Sequence, residues 1–162
     1  MVLDSLKRDK GHVHSRGEGK MLLTNFGAIL NFAEELEIQD RDFYRVLCEN
    51  ASCSDYKEIF DQFSSKAKKT IKNIQRTRRE NVTEMILEPI RDFERSPFGV
   101  KGENGHTMPA DVALNVSKQI EKRSVQYYTA AAEKIKALPE VTRELKKMAK
   151  HRQAQLDILN NL

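Results

Sequence analysis

Two segments of the chain carry one pattern: Glu37 is followed six and seven residues on by Phe43 and Tyr44, and Glu121 at the same offsets by Tyr127 and Tyr128. In an α-helix a residue seven positions on returns to nearly the same face, so each segment sets a carboxylate and a phenol on one stripe about two turns apart. A carboxylate on a core-facing stripe is a strong constraint. Burying an unpaired charge is costly, so such a residue implies a metal or a cationic partner. The bland alternative is that each glutamate sits at the edge of its stripe and turns to solvent, since one residue of register error rotates a side chain by about 100°.

The rest of the chain reads as helices. Residues 1 to 20 hold Lys, Arg, His and Gly with hardly any apolar periodicity, and are expected to be a flexible arm. His12 and His14 within it are read as part of a polar tail. The remainder, 21–162, is expected to be one domain. From Phe26 on, Ile29, Leu30, Ala33, Leu36, Tyr44 and Leu47 fall at helical spacing, and the polar stretch Asn50 to Asp55 ends that helix. A second helix is expected from about Asp55, capped by Ser54, on Ile59, Phe60, Phe63, Ala67, Ile71 and Ile74, continuing through Val82 to Leu87 before Pro89. Pro97, Gly99, Gly102, Gly105 and Pro109 then punctuate a connection of roughly 20 residues, unusually long for a compact domain. A third helix is expected from Pro109 or Ala110 to Ala137, and a fourth from Pro139 to the C-terminus on Val141, Leu145, Met148, Leu156 and Leu159.

The fold class is therefore all-α: two antiparallel helix hairpins joined by one long crossover, the ferritin-like form of the four-helix bundle. The two halves resemble each other as an internal duplication would. With 162 residues, 39% hydrophobic and 32% charged, the chain can build one real core, and it has no apolar run of the roughly 20 residues that span a bilayer. No signal-peptide pattern is present, so the cytoplasm is the expected compartment and no membrane partner is expected. Cys48 and Cys53 lack a second pair for a zinc site and read as ordinary thiols.

Residues Phe26 to Leu159 resemble the rubrerythrin branch of the ferritin-like superfamily. In that family the first helix of each half reads approximately A-x-x-x-E-x-x-x-x-x-(F/Y)-Y, which the segments Glu37 to Tyr44 and Ile120 to Tyr128 resemble. The family's second helices read F-x-x-L-A-x-x-E-x-x-H-x-x-x-L, with Glu and His as metal ligands. The frame is kept here and the ligands are not. In the fourth helix, Leu145, Met148, Ala149 and Leu159 place Arg152 at the Glu position and Gln155 at the His position. In the second, Phe60, Phe63, Ser64 and Ile74 place Ala67 and Thr70 there, while a register three residues on would give Thr70 and Asn73.

The resemblance thus implies a degenerate di-iron site. Only Glu37 and Glu121 remain as ligands, and no cofactor is expected unless a different alignment restores iron or manganese. Arg152 supplies a planar, permanent cation that matches carboxylates in bidentate geometry. The expected site is a buried cluster of Glu37, Arg152 and Glu121, with Tyr44, Tyr128, Gln155 and Thr70 as neutral hydrogen-bond partners beside Ala67. No catalytic residue is assigned. The expected function is a non-catalytic scaffold or interaction module, and the resemblance allows a homodimer through an apolar face of the first or second helix. The alternative is a rubrerythrin-like peroxidase or oxidase acting on peroxide or oxygen, for which Glu34, Glu35, Glu58 or Glu133 would have to turn inward.

A different class of function rests on Lys66, Lys68, Lys69, Lys72, Arg76, Arg78 and Arg79, a run with no acid inside it. At 100° per residue, Lys68, Lys69, Lys72, Arg76 and Arg79 share a side opposite Phe63, Ala67 and Ile74. A solvated face is the default for such a run; a nucleic-acid or acidic partner is the alternative. No aromatic residue is interleaved and no helix-turn-helix or zinc-finger signature accompanies it. His106 and His151 are read as solvated. There is no phosphate-binding glycine loop, nucleophile elbow or paired-histidine metal motif.

Overall fold

The computed structural model of the chain describes residues 22–81, 90–99 and 104–162. The expected arm at 1–20 lies outside the described residues, as do the expected helix continuation from Val82 to Leu87 and Pro89. Among the described residues the regular structure is helical, with no strand and one isolated bridge between Leu22 and Glu94. Four long helices carry the fold: α1 (Phe26–Glu49), α2 (Lys57–Glu80), α3 (Ala110–Lys134) and α4 (Pro139–Asn160). This content is compatible with a four-helix bundle. No described helix is long and apolar enough to cross a membrane.

Side-chain bonds fix how the helices run past one another. Ser64, Gln75 and Arg78 of α2 bond to Arg41, Glu34 and Asn31 of α1, descending along one helix as they climb the other. Along α3, Glu121, Arg123 and Tyr127 meet Tyr44, Asp40 and Ile29 in the same opposed sense. Thus α1 lies antiparallel to both α2 and α3. Its principal packing is on α2, and α3 packs principally on α4, with lesser contacts between α1 and α3 and between α2 and α4.

Local chemistry explains the ends. Asn25 caps α1 by accepting from the Ala28 amide at 2.7 Å, satisfying one of the amides that a helix start leaves open. The cap expected at Ser54 is not formed. A 3₁₀ segment, Ala51–Tyr56, fills that place, and α2 starts after Tyr56 without a side-chain cap. Asn50 does the work instead: its Oδ1 accepts from Ser52 N at 2.9 Å, and its Nδ2 donates to the carbonyls of Gly105 and Met108 at 2.7 and 2.8 Å. One buried amide therefore turns the chain and pins the far end of the crossover. Within the described residues α2 ends at Glu80, and α3 stops at Lys134 rather than Ala137. Pro139 opens α4 from inside its first turn, as expected.

The crossover is part of the core. Phe93 stacks on Tyr127 with ring centres 5.7 Å apart, and Phe98 meets the same ring edge-on at 5.1 Å. The backbone of this segment bonds to the entry of α1, from Leu23 N to Phe93 O at 2.7 Å and from Ile90 N to Thr24 O at 2.8 Å. Gly105 sits where an added Cβ would lie 3.0 Å from a Val46 methyl, so a larger residue there would require that side chain to give by a few tenths of an ångström.

The buried residues form two apolar clusters. One gathers Phe26, Leu30, Phe32, Phe93, Tyr127 and Leu145; the other gathers Leu47, Phe60, Phe63, Met108, Ile120 and Leu159. Between them, at the middle of α1, α3 and α4, lies a layer of charge.

Candidate functional site: a charged layer across the bundle

The helical period brings the layer together. On α1, Glu37, Asp40 and Tyr44 stand three and four residues apart and so share a face. Glu121 and Tyr128 share a face of α3, and Arg152 and Gln155 share one of α4. All are buried: Glu37 is 1% exposed, Glu121 0% and Arg152 5%. The edge-of-stripe reading of the glutamates is thereby removed.

Arg152 is the hub. Its Nη1 donates to Glu121 Oε1 at 2.8 Å and its Nη2 to Asp40 Oδ2 at 2.7 Å, while Nε reaches Glu37 Oε1 at 3.3 Å. Glu37 Oε2 also lies 2.8 Å from Nη2, close enough for an ion pair but off the donor direction. One guanidinium thus faces three carboxylates from two helices, a use of its rigid fork that a lysine could not reproduce. A second cation, Arg123, donates to Asp40 Oδ1 at 2.5 Å.

The two similar halves close on each other. The Tyr44 hydroxyl donates to Glu121 at 2.6 Å, and the Tyr128 hydroxyl donates to Glu37. Each phenol serves the carboxylate of the opposite repeat. The repeats differ where Asp40 of the first corresponds to Ser124 of the second, and that asymmetry gives the layer three carboxylates against two guanidinia.

The electrostatics follow from burial. Loss of water pushes Glu37 and Glu121 above the ordinary carboxylate range, and Arg152 opposes that shift without cancelling it. Burial, reinforced by the facing glutamate, holds both Tyr44 and Tyr128 well above the usual phenol range. They remain neutral donors. Burial also disfavours charge on Arg152, but its three carboxylates override it and fix the guanidinium as a cation.

Of the residues expected at the site, Glu37, Tyr44, Glu121, Tyr128, Arg152 and Gln155 are brought together, with Gln155 buried and directed at Glu121. Ala67 is buried. Thr70 does not join: its hydroxyl donates back to the Lys66 carbonyl at 3.1 Å on the half-exposed side of α2. Asp40, Arg123 and Ser124 were missed. The i+3 spacing from Glu37 to Asp40 was the available signal; Arg123, two residues from Glu121, is invisible to a single-stripe reading because it reaches α1 by a different side of α3.

The di-iron cage that the resemblance implies does not fit these residues. A guanidinium bonded to the carboxylates occupies the centre of the layer, and no described group of three or more His, Cys, Asp or Glu is arranged to hold a metal ion. The acids that would have to turn inward lie elsewhere. Glu34 bonds to Arg78 and Gln75; Glu35 and Glu133 are exposed partners of Arg95 and Lys136, and Glu58 is exposed. No protein-family model, curated protein or solved structure matches the chain.

Proposed function

We propose that this chain is a rubrerythrin-like member of the ferritin-like superfamily whose di-iron centre has become a buried ion network, and that it acts as a non-catalytic scaffold or interaction module. The observation that carries this reading is Arg152, 2.7–2.8 Å from Asp40, Glu37 and Glu121. The opposed courses of α1 with α2 and with α3, and the reciprocal bonds of the two repeats, support the ferritin-like arrangement and a duplicated origin. In this reading the network replaces metal as the device that holds the helices in register. Buried ion networks add little net stability over an apolar core, yet losing one member is severe, so the helices are held where Arg152 meets its three carboxylates.

The test is metal content of the untagged chain, measured by mass spectrometry after expression with and without added iron or manganese. Well under one metal per chain in every preparation is the expected result. About two metals per chain would overturn the reading and restore a peroxidase or oxidase.

A further inference from the structure

We propose that the outer face of α2 is a surface for the phosphate backbone of double-stranded nucleic acid. This names the partner of the interaction module proposed above. It rests on that reading only for the absence of catalysis, and it uses residues outside the charged layer.

The first observation is where the charge lies. Helix α2 holds eight Lys and Arg against three Asp and Glu, an excess larger than the net +4 of the whole chain. The second is how it is displayed. Lys66, Lys68, Lys69, Lys72, Arg76 and Arg79 are all exposed, and none makes an ion pair among the described residues. Arg78, between them, is the one that turns inward to Glu34. From Lys66 to Arg79 the ridge runs about 20 Å along a helix, over half the length of one duplex turn of about 34–36 Å. The third is its limit: at the end of the ridge Arg76 of α2 and Arg143 of α4 stand in a groove with Glu80, Glu140 and Glu144, so the acid-free surface is the ridge on α2 itself.

The chemistry of this face selects among polyanions. Of the large apolar side chains of α2, Phe60, Phe63, Ile71 and Ile74 are buried in the core, and Ile59, before the ridge begins, is half-buried against it. Nothing apolar is left exposed along the ridge from Lys66 to Arg79 to enter a lipid interface, which an amphipathic membrane helix requires. The same lack of aromatic and aliphatic anchors removes the centre that protein interfaces are built around. Single strands bind by stacking bases on aromatic rings, and the ridge has none. What remains is a rigid row of cations, suited to the regularly spaced phosphates of a duplex and blind to its sequence.

The experiment is fluorescence anisotropy of the full chain with random-sequence 20-base-pair DNA and RNA duplexes, a matching single strand, and vesicles containing phosphatidylserine, from 50 to 200 mM salt. If four to six phosphates are engaged, affinity for a duplex should fall about 10²–10³-fold over that range. Whichever duplex binds more tightly names the natural backbone. The variant Lys69→Gln, Lys72→Gln, Arg76→Gln should retain its melting temperature and lower the slope of log K against log salt by about 2.7. Lys118→Gln with Lys122→Gln, on α3, should leave binding unchanged. No duplex binding at 50 mM salt, an unaltered slope in the triple variant, or tighter binding to the single strand or vesicles would each overturn the proposal. Metal content of the same preparations reports separately on the converted centre, so either idea can fail alone.

Discussion

Replacing Arg152 with alanine removes the one group that touches Glu37, Asp40 and Glu121 together. Those three carboxylates would then share a water-poor layer with Arg123 alone, which reaches only Asp40. Breaking a buried ion pair by deleting one partner costs about 3–5 kcal/mol, because the remaining charge stays buried without its counter-ion. In a chain of this size each kcal/mol moves the melting temperature by about 2–4 °C, so Arg152→Ala should melt about 6–20 °C lower than the wild type. The assay is thermal unfolding followed by circular dichroism at pH 7 with a chelator present, since three carboxylates released from Arg152 would themselves attract a divalent cation. The loss should shrink at pH 5, where the carboxyls can take up protons instead of standing as unpaired charges. A melting temperature within about 2 °C of the wild type at pH 7 would refute the reasoning: it would mean that the layer is hydrated, or that Arg152 does not hold it together.

Glu37 and Glu121 are raised by folding, so the native state holds their protons more tightly than the unfolded chain does. Their contribution to stability is therefore complete below about pH 4.5 and is lost as pH rises through the raised folded values. Glu121→Gln keeps an acceptor for Tyr44 and balances two carboxylates against two guanidinia; calorimetry from pH 4.5 to 8 should show a flatter pH dependence than the wild type, and an equal or steeper one would contradict the sign. Tyr44→Phe and Tyr128→Phe each delete one donor to a buried carboxylate and should cost about 1.5–3 kcal/mol apiece in urea unfolding, with similar values for the two because their bonds are reciprocal. Phe93→Ala should cost about 3–5 kcal/mol in the same assay, since the ring is buried against Tyr127; a loss below about 1 kcal/mol would place the crossover outside the cooperative core.

The helices were legible because their signal is local. Phe26 to Leu47, Phe60 to Ile74 and Val141 to Leu159 repeat at the helical period, and the pairs Glu37 with Tyr44 and Glu121 with Tyr128 declared their inward face before any partner was known. The start of α4 at Pro139 followed from equally local signals, whereas the inward placement of Arg152 and Gln155 was what the family resemblance implied. What the sequence did not reveal depends on which helices lie side by side. Asp40 looks like an ordinary acid on a charged helix until Arg152 and Arg123 are seen around it. Thr70 had the right position in a motif frame but sits on the half-exposed side of α2, and one turn of that helix is enough for its hydroxyl to bond to its own backbone. Phe93 and Phe98 lie in a segment with no period, so only the meeting of the crossover with Tyr127 placed them in the core. By itself the sequence determined the inward stripes, the opening of α4 at Pro139 and the basic ridge, because these depend on neighbours within a turn or two. The tertiary structure decided that three acids meet one guanidinium, because the charge balance of a buried layer is a sum over helices that are far apart in the chain.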